Sequence, residues 1–414
     1  MTTMNSVTMN VPVQMTRSQT LSRTCVLGMM NRVKVGCISI VESFNGTSSK
    51  IHIEGSGELS ATVIVHDPCF YEKVLKGGDV AIGESYMDGD WESNDLTTLI
   101  RIMVLNLNLL DQINAKSSIV VKLIDKAMHF LNRNSLSTSK KNIEAHYDLG
   151  NDLYDAFLDT NMLYSSALYL SDTDSLEQAQ INKMYRLCQQ MQLQPSDHVI
   201  EIGTGWGGMA VYMAKQYGCR VTTTTISEEQ HAYVEALIQR EGLNEKITLL
   251  KKDYRLLEGQ FDKLVSIEMI EAVGKEYLNS YIDKCSHLLK PQGIAAIQAI
   301  TINDQRYDYY ANNVDFIQKY IFPGGFLPSI TSVANAATNH SDLVIRDIHD
   351  IGQSYAKTLK EWRNRFNRAY PSLESKGYNE RFARMWRYYL CYCEGGFLAK
   401  SISTVHMTFE KGMK

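Results

Sequence analysis

The stretch His198-Val-Ile-Glu201-Ile-Gly203-Thr-Gly205-Trp206-Gly207-Gly208-Met209 decides the fold. An apolar run of strand length enters it, glycines crowd its middle, and helical spacing follows from Met209 to Gln216. Glycine permits a tight turn and a close backbone approach to a ligand, and the helix behind it offers its N-terminus to that ligand. Gly203, Gly205 and Gly208 satisfy G-x-G-x-x-G, so a nicotinamide dinucleotide has to be weighed. That fingerprint wants an Asp or Glu about 20 residues on, at the end of the second strand. The second strand, Arg220 to Ile226, instead runs into Thr225-Ile-Ser227-Glu-Glu-Gln230, with hydroxyls ahead of the acids. An acid closing the first strand, as Glu201 does in E-x-G-x-G-x-G, favours S-adenosylmethionine. A glycine-rich connection with no ligand is the plainer alternative, at an entropic cost that packing turns rarely require.

Outward from this loop, short β-rich runs alternate with amphipathic stretches. Ile247 to Lys251, Phe261 to Ile267 and Gly293 to Ile300 read as further strands, with helical spacing over Glu228 to Arg240 and Tyr277 to Leu289. This alternation predicts a doubly wound sheet of mainly parallel strands. Tyr355 to Lys400 reads as helical and aromatic-rich. Upstream, Lys50 to Glu54 and Ala61 to Val65 alternate like strands between glycine-containing turns, which predicts a small α+β domain over 1–115. A helical linker is expected over 116–139, closing in Asn134-Ser-Leu-Ser-Thr-Ser139, with the second domain over 140–414.

At 414 residues the chain exceeds the size at which one core stops growing, in keeping with two domains. A formal charge of -4, from 42 basic and 46 acidic residues, gives no electrostatic reason to expect nucleic acid. The eight cysteines are scattered, and Cys391-x-Cys393 lacks the second pair of a zinc site, so no metal is expected and the thiols read as reduced and cytosolic. Met1 to Ser18 is polar, Cys25 to Met30 is too short for a signal-peptide core, and no run approaches the ~20 apolar residues of a membrane span. Any lipid is expected to be met from the aqueous side.

Six segments carry a resemblance in order along the chain: His146-Tyr-Asp-Leu-Gly-Asn-Asp152, Leu163-Tyr-Ser165, Glu201 to Gly208, Thr225 to Gln230, Ile321-Phe-Pro-Gly-Gly-Phe-Leu-Pro-Ser329 and Ser354-Tyr-Ala-Lys-Thr-Leu359. They resemble the cyclopropane-fatty-acid synthase family, which includes the mycolic-acid cyclopropane synthases. Gly83-Glu-Ser-Tyr-Met-Asp-Gly-Asp-Trp91 is similar to the N-terminal, lipid-presenting domain of the phospholipid-acting members. The resemblance implies a class I methyltransferase, Rossmann-like fold and transfer of a methyl group from S-adenosylmethionine to the double bond of an unsaturated acyl chain of a membrane phospholipid. It also implies a homodimer, peripheral at the inner membrane surface. The cofactor positions it implies are Tyr164, Ser165, Glu201, Gly203, Gly205, Trp206, Gly207, Thr225, Ser227, Gln230, Asp253 and Tyr254.

Transfer leaves a carbocation, and in the family a bound bicarbonate then removes a proton so that the ring closes. That anion is held by a Cys, a Glu, a His, a Tyr and a backbone group near an Ile. Here the Glu is Glu271, the Tyr is Tyr355 and the Ile is Ile300, but Ser166 stands for the Cys, Gln298 for the His, and Ala272 where a further His is common. Ser and Gln still donate and accept hydrogen bonds, while an imidazole able to carry a proton is gone from these positions. Glu268 is an added carboxylate three residues before Glu271, expected on the same face if the segment turns helically, and paired carboxylates can furnish a base. Cys393 matches a cysteine once given a catalytic role, though a packed helical thiol is the simpler reading. Trp386, Tyr388, Tyr389, Tyr392 and Phe397 are either core or the wall of an acyl channel. A branched acyl product, a small-molecule N-methyltransferase and an idle lipid-binding module remain as rivals.

Overall fold

The computed structural model describes residues 14–44, 48–107, 109, 111 and 150–412. The expected linker over 116–139, and the start of the first family motif at His146, lie outside the described residues. The chain divides into two compact units, Met1–Leu123 with Asn379–Gly395, and Ile124–Tyr378 with Gly396–Lys414.

The first unit is α+β. Helix α1 (Arg17–Met30) precedes strands β1 (Val35–Glu42), β2 (Ser49–Glu54) and β3 (Ser56–Val65), then helix α2 (Cys69–Asp88), strand β4 (Trp91–Ser93) and helix α3 (Leu96–Leu105). The strands form one sheet in the order β2-β1-β3-β4, β1 running antiparallel to β2 and parallel to β3. Residues 379–395 also belong here, although the sequence reading assigns them to the catalytic part. The reason is side-chain contact: the Arg384 guanidinium lies 4.3 Å from the Tyr86 ring and donates to Trp91 O at 2.8 Å, and the Tyr86 and Tyr388 rings are 5.6 Å apart.

The second unit carries the glycine loop. In chain order it contains α4 (Leu176–Gln190), β5 (His198–Ile202), α5 (Gly208–Tyr217), β6 (Arg220–Thr225), α6 (Glu228–Arg240), β7 (Ile247–Lys251), β8 (Phe261–Ile267), α7 (Leu278–Leu288) and β9 (Leu289–Ile302). It continues with α8 (Ile330–His340), β10 (Leu343–Asp350) and α9 (Gly352–Ser375), and ends on β11 (Ile402–Lys411). Helix α10 (Glu380–Leu398), whose residues up to Gly395 belong to the first unit, precedes β11. The seven-stranded sheet has the order β10-β11-β9-β8-β5-β6-β7. The five strands from β9 to β7 are mutually parallel, and β11 enters antiparallel to both β9 and β10. The strand order reverses at β5, so a crevice opens outside the carboxyl ends of the parallel strands, where open α/β sheets take their ligands. Two apolar layers sandwich the sheet: Leu264, Tyr281, Ile282 and Met407 on one side, and Leu187, Met209, Val234 and Val221 on the other. No described helix is long and apolar enough to cross a membrane.

Candidate active site

Three of the four segments expected to bind a cofactor end at one edge of the sheet, because each follows a parallel strand, while Tyr164-Ser165 precedes the sheet's first strand. After β5 the chain turns through Gly203, Gly205 and Gly207, with φ of 91°, 53° and 87°, a left-handed region that a side chain on Cβ disfavours. Trp206 is buried, 4.7 Å from the Tyr154 ring, and its Nε1 donates to Asn151 Oδ1 at 3.3 Å. Glu201 is buried on β5 and accepts from Thr223 Oγ1 at 2.5 Å; burial pushes its carboxyl up to about 8. After β6, Thr225 Oγ1 donates to Gln230 Oε1 at 2.7 Å, and Ser227 caps α6 by accepting from Gln230 N at 3.2 Å. After β7, Asp253 holds Arg255 through both guanidinium Nε (2.8 Å) and the terminal nitrogen (2.6 Å). Tyr164 packs in an aromatic wall, 5.3 Å from both Tyr154 and Trp362, and Ser165 beside it accepts from Lys183.

The edge also offers room and unspent polarity. A Cβ built on Gly205 meets nothing within 4 Å. Thr204 Oγ1 and the Tyr254 hydroxyl are buried without a hydrogen-bond partner among the described residues, and such groups are costly unless something pairs with them. These features fit a polar ligand.

Next to this edge, β8 leads into Glu268. Its φ of 49° places a non-glycine residue in the left-handed region, a strain of the kind that structures retain at functional turns. Glu268 therefore precedes the short 3-10 turn Ile270–Ala272 that carries Glu271, and the two acids do not share a helical face as their spacing suggests. They nonetheless interact. Glu268 Oε1 accepts from Ser166 N at 2.8 Å and from Gln298 Nε2 at 2.7 Å, and its Oε2 accepts from the Tyr355 hydroxyl at 2.8 Å. Glu271 Oε1 accepts from Ile300 N at 2.5 Å, while its Oε2 is buried without a partner among the described residues. Both residues keep some exposed surface, yet loss of water is the largest influence on each carboxyl and raises it; for Glu271 the charge of Glu268 adds to the rise.

Ser166 acts through its backbone. Its hydroxyl turns away to Ala167 O at 2.9 Å, so the amide N–H, which any residue there could supply, meets Glu268. Gln298 is fully buried on β9 and donates a second bond to Ser166 O at 3.2 Å. Its Oε1 meets His406 Nε2 at 2.9 Å, across the β9–β11 register pair Gln298–His406. The Ser166 carbonyl accepts only, so Gln298 must point its NH2 at that carbonyl and Glu268 and its oxygen at the ring, and His406 must then donate from Nε2. An imidazole thus stands one strand away from the position where sequence reading finds it missing. Burial holds it well below its ordinary range, hence neutral. Its signal in the sequence is a lone His in an otherwise apolar and hydroxyl-bearing run, Thr404-Val-His-Met-Thr408. Lys183, fully buried on α4, is the other residue that sequence reading passed over.

Cys393 belongs to the first unit, apart from the unit that carries Glu268 and Glu271. Of the aromatic series, Trp386, Tyr388 and Tyr389 are buried in the first unit, Trp386 stacking on Phe382 at 5.7 Å and Tyr392 on Tyr388 at 6.1 Å. Phe397 belongs to the second unit and stacks on Tyr355 at 4.6 Å.

Residues 134–407 match the family model described as mycolic acid cyclopropane synthetase. The chain is 38% identical over 375 residues to the cyclopropane-fatty-acyl-phospholipid synthase of Escherichia coli, covering 89% of this chain and 93% of that protein. It is 35% identical over 358 residues to the tuberculostearic acid methyltransferase of Mycobacterium tuberculosis, covering 81% and 80%. Among solved structures, a mycolic acid cyclopropane synthase complexed with SAH and CTAB superposes with a TM-score of 0.61 at 26% identity, over 66% of this chain and 98% of that one.

Proposed function

We propose a function for this chain from one premise: it belongs to the mycolic acid cyclopropane synthetase family. As such it is an S-adenosylmethionine-dependent methyltransferase. We infer that it methylates the double bond of unsaturated acyl chains in membrane phospholipids, working peripherally at the cytoplasmic membrane surface, and that the product is a cyclopropane fatty acid.

S-adenosylmethionine, when bound, supplies an electrophilic methyl group whose leaving group is a neutral thioether. The glycine turn, Thr225 to Gln230 and Asp253-Tyr254, together with Tyr164 and Ser165, are the residues that would hold it. An alkene is a weak nucleophile, so this unit's work is to exclude water and to align the alkene with the methyl group. The aromatic wall of Tyr164, Trp362, Tyr355 and Phe397 offers ring faces toward which a developing cation is drawn. A carboxylate must then take a proton from the added methyl group, and the freed C–H electron pair closes the ring onto the cationic carbon.

The observation that carries this reading is Glu268. It engages Gln298 and Tyr355, two of the groups that the resemblance assigns to a bicarbonate, together with the amide of Ser166, while Glu271 takes the amide of Ile300. We read Glu268 as an internal replacement for the anion, and bicarbonate as dispensable. Purified chain, methyl-labelled S-adenosylmethionine and unsaturated phospholipid vesicles test the whole. Label entering the acyl chains supports the reading; label entering only added soluble amines, or none bound at all, defeats it.

A second reading is favoured by the same departures at Ser166 and Gln298. It keeps the transfer step and loses the proton without ring closure, giving a methylene-branched chain or a methyl-branched chain that keeps a double bond. Proton NMR of the product lipid separates the two, since only the ring gives upfield cyclopropane signals.

A further inference from the structure

Helix α4 carries one ammonium group into the interior. Lys183 is 0% exposed, and its Nζ donates at 2.7 Å to Ser165 Oγ, its one hydrogen bond among the described residues. Three residues earlier on the same helix, Gln180 donates to Leu163 O at 3.2 Å and Ser165 O at 3.1 Å, so α4 clamps the segment that ends at Ser166. A buried ammonium costs several kcal/mol unless an opposite charge offsets it, and a neutral hydroxyl does not. The adjoining residue supplies the connection: Ser166 N donates at 2.8 Å to Glu268 Oε1. Ammonium and carboxylate thus grip the same dipeptide, Ser165-Ser166.

We propose that Lys183 is a positioning residue of the base, whose buried charge, set against Glu268 across the Ser165-Ser166 dipeptide, keeps that carboxylate ionised and able to take the proton. This rests on the reading of Glu268 as base. Glu268 is faced by Tyr355 from α9, by Gln298 from β9 with His406 of β11 behind it, by Glu271 from its own turn and by Lys183 from α4. His406 is held neutral by burial, so Lys183 is the group in this set that brings positive charge. Asp159 is the other carboxyl whose charge reaches Lys183, and it also accepts from the amides of Asn161 (2.9 Å) and Leu163 (2.8 Å). Burial lowers the ammonium to about 8, against the pull of Glu268 and Asp159, which leaves it charged at neutral pH.

Lys183→Met keeps most of the stem's length and its burial and removes the charge, while Lys183→Arg keeps the charge. Losing an opposite charge nearby raises a carboxyl by roughly one unit or more. The acid limb of turnover against pH should therefore move up by about one unit in Lys183→Met, so that turnover well down the acid limb falls roughly tenfold and recovers as pH rises, and stay in place in Lys183→Arg. An unmoved limb in folded Lys183→Met, with or without weaker calorimetric binding of S-adenosylmethionine, overturns the proposal. Carbon-13 glutamate NMR of the unaltered chain, with Glu268 assigned by its loss in Glu268→Gln, gives a readout that does not depend on the variant folding. An ionised Glu268 at pH 7 supports the role and a protonated one overturns it. Full turnover in Glu268→Gln would instead sink the base reading, and the NMR titration of Glu268 with and without Lys183 would still judge the charge effect.

Discussion

The edge proposed for the cofactor and the pocket proposed for the base lie side by side on one sheet and are built in opposite ways. After β6 and β7 the contacts are local: Thr225 bonds Gln230 five residues on, Ser227 caps within three, and Asp253 holds Arg255 two residues away. The base pocket is assembled from a distance. Ser166 lies 102 residues from Glu268, Tyr355 lies 87 from it, Gln298 lies 132 from Ser166, and His406 lies 108 from Gln298. A local site persists wherever its strand and turn form, whereas a pocket drawn from four elements is remodelled by a change in any one of them.

The comparison is most severely strained at Glu268. If the pocket works as one unit around this carboxylate, Glu268→Gln should lower kcat by 10²- to 10⁴-fold while calorimetric affinity for S-adenosylmethionine stays near that of the unaltered chain. A matching loss of affinity would show that the two regions are not separable. Next in size is His406→Phe, which strands the oxygen of Gln298 in the interior and frees its amide to flip toward Glu268. Turnover should fall by about tenfold, the effect of losing one buried hydrogen bond, and His406→Gln should restore part of it by offering a donor again. Equal turnover in His406→Phe would remove β11 from the pocket.

A third prediction concerns stability against pH. Burial and the neighbouring charge raise Glu271 above its ordinary value of 4.5 in the folded chain. A carboxyl raised on folding stabilises the fold fully below its unfolded pKa and loses that contribution as pH rises through the folded value. Tm should therefore decline from about pH 4.5 upward, and Glu271→Gln should flatten the decline. An unchanged slope would mean that Glu271 is not desolvated. The smallest effect is expected on the local side: Ser227→Ala removes one helix cap, a loss of about 1 kcal/mol in chemical denaturation with the base pocket untouched.

The same contrast governs what the sequence makes legible. β5, β7, β8 and α6 run as periodicity and glycine punctuation predict, and the cofactor motifs fall at the ends of parallel strands. β10 and β11 escape notice. Six consecutive residues of β11, Thr404 to Phe409, are buried, which erases the alternation that marks a strand with one wet face, and Thr404, His406 and Thr408 break its apolar run. β10 is largely exposed and charged, an edge strand recognisable only from its partner. His406 is illegible in the sequence for the same reason, since its meaning lies in the register with Gln298. Glu268 and Glu271 were both legible as acids, but a helical spacing rule does not foresee that a left-handed turn at Glu268 aims its carboxylate at Ser166 and Tyr355.

With Glu268 read as the base, the chain carries its own anion in the pocket. The direct measurement is the rate of methyl transfer to unsaturated phospholipid vesicles in degassed, bicarbonate-free buffer, with bicarbonate then added back. The unaltered chain should turn over at the same rate in both, while Glu268→Gly, with its donors released, should be slow without bicarbonate and faster with it. An unaltered chain that idles until bicarbonate is supplied would contradict the claim.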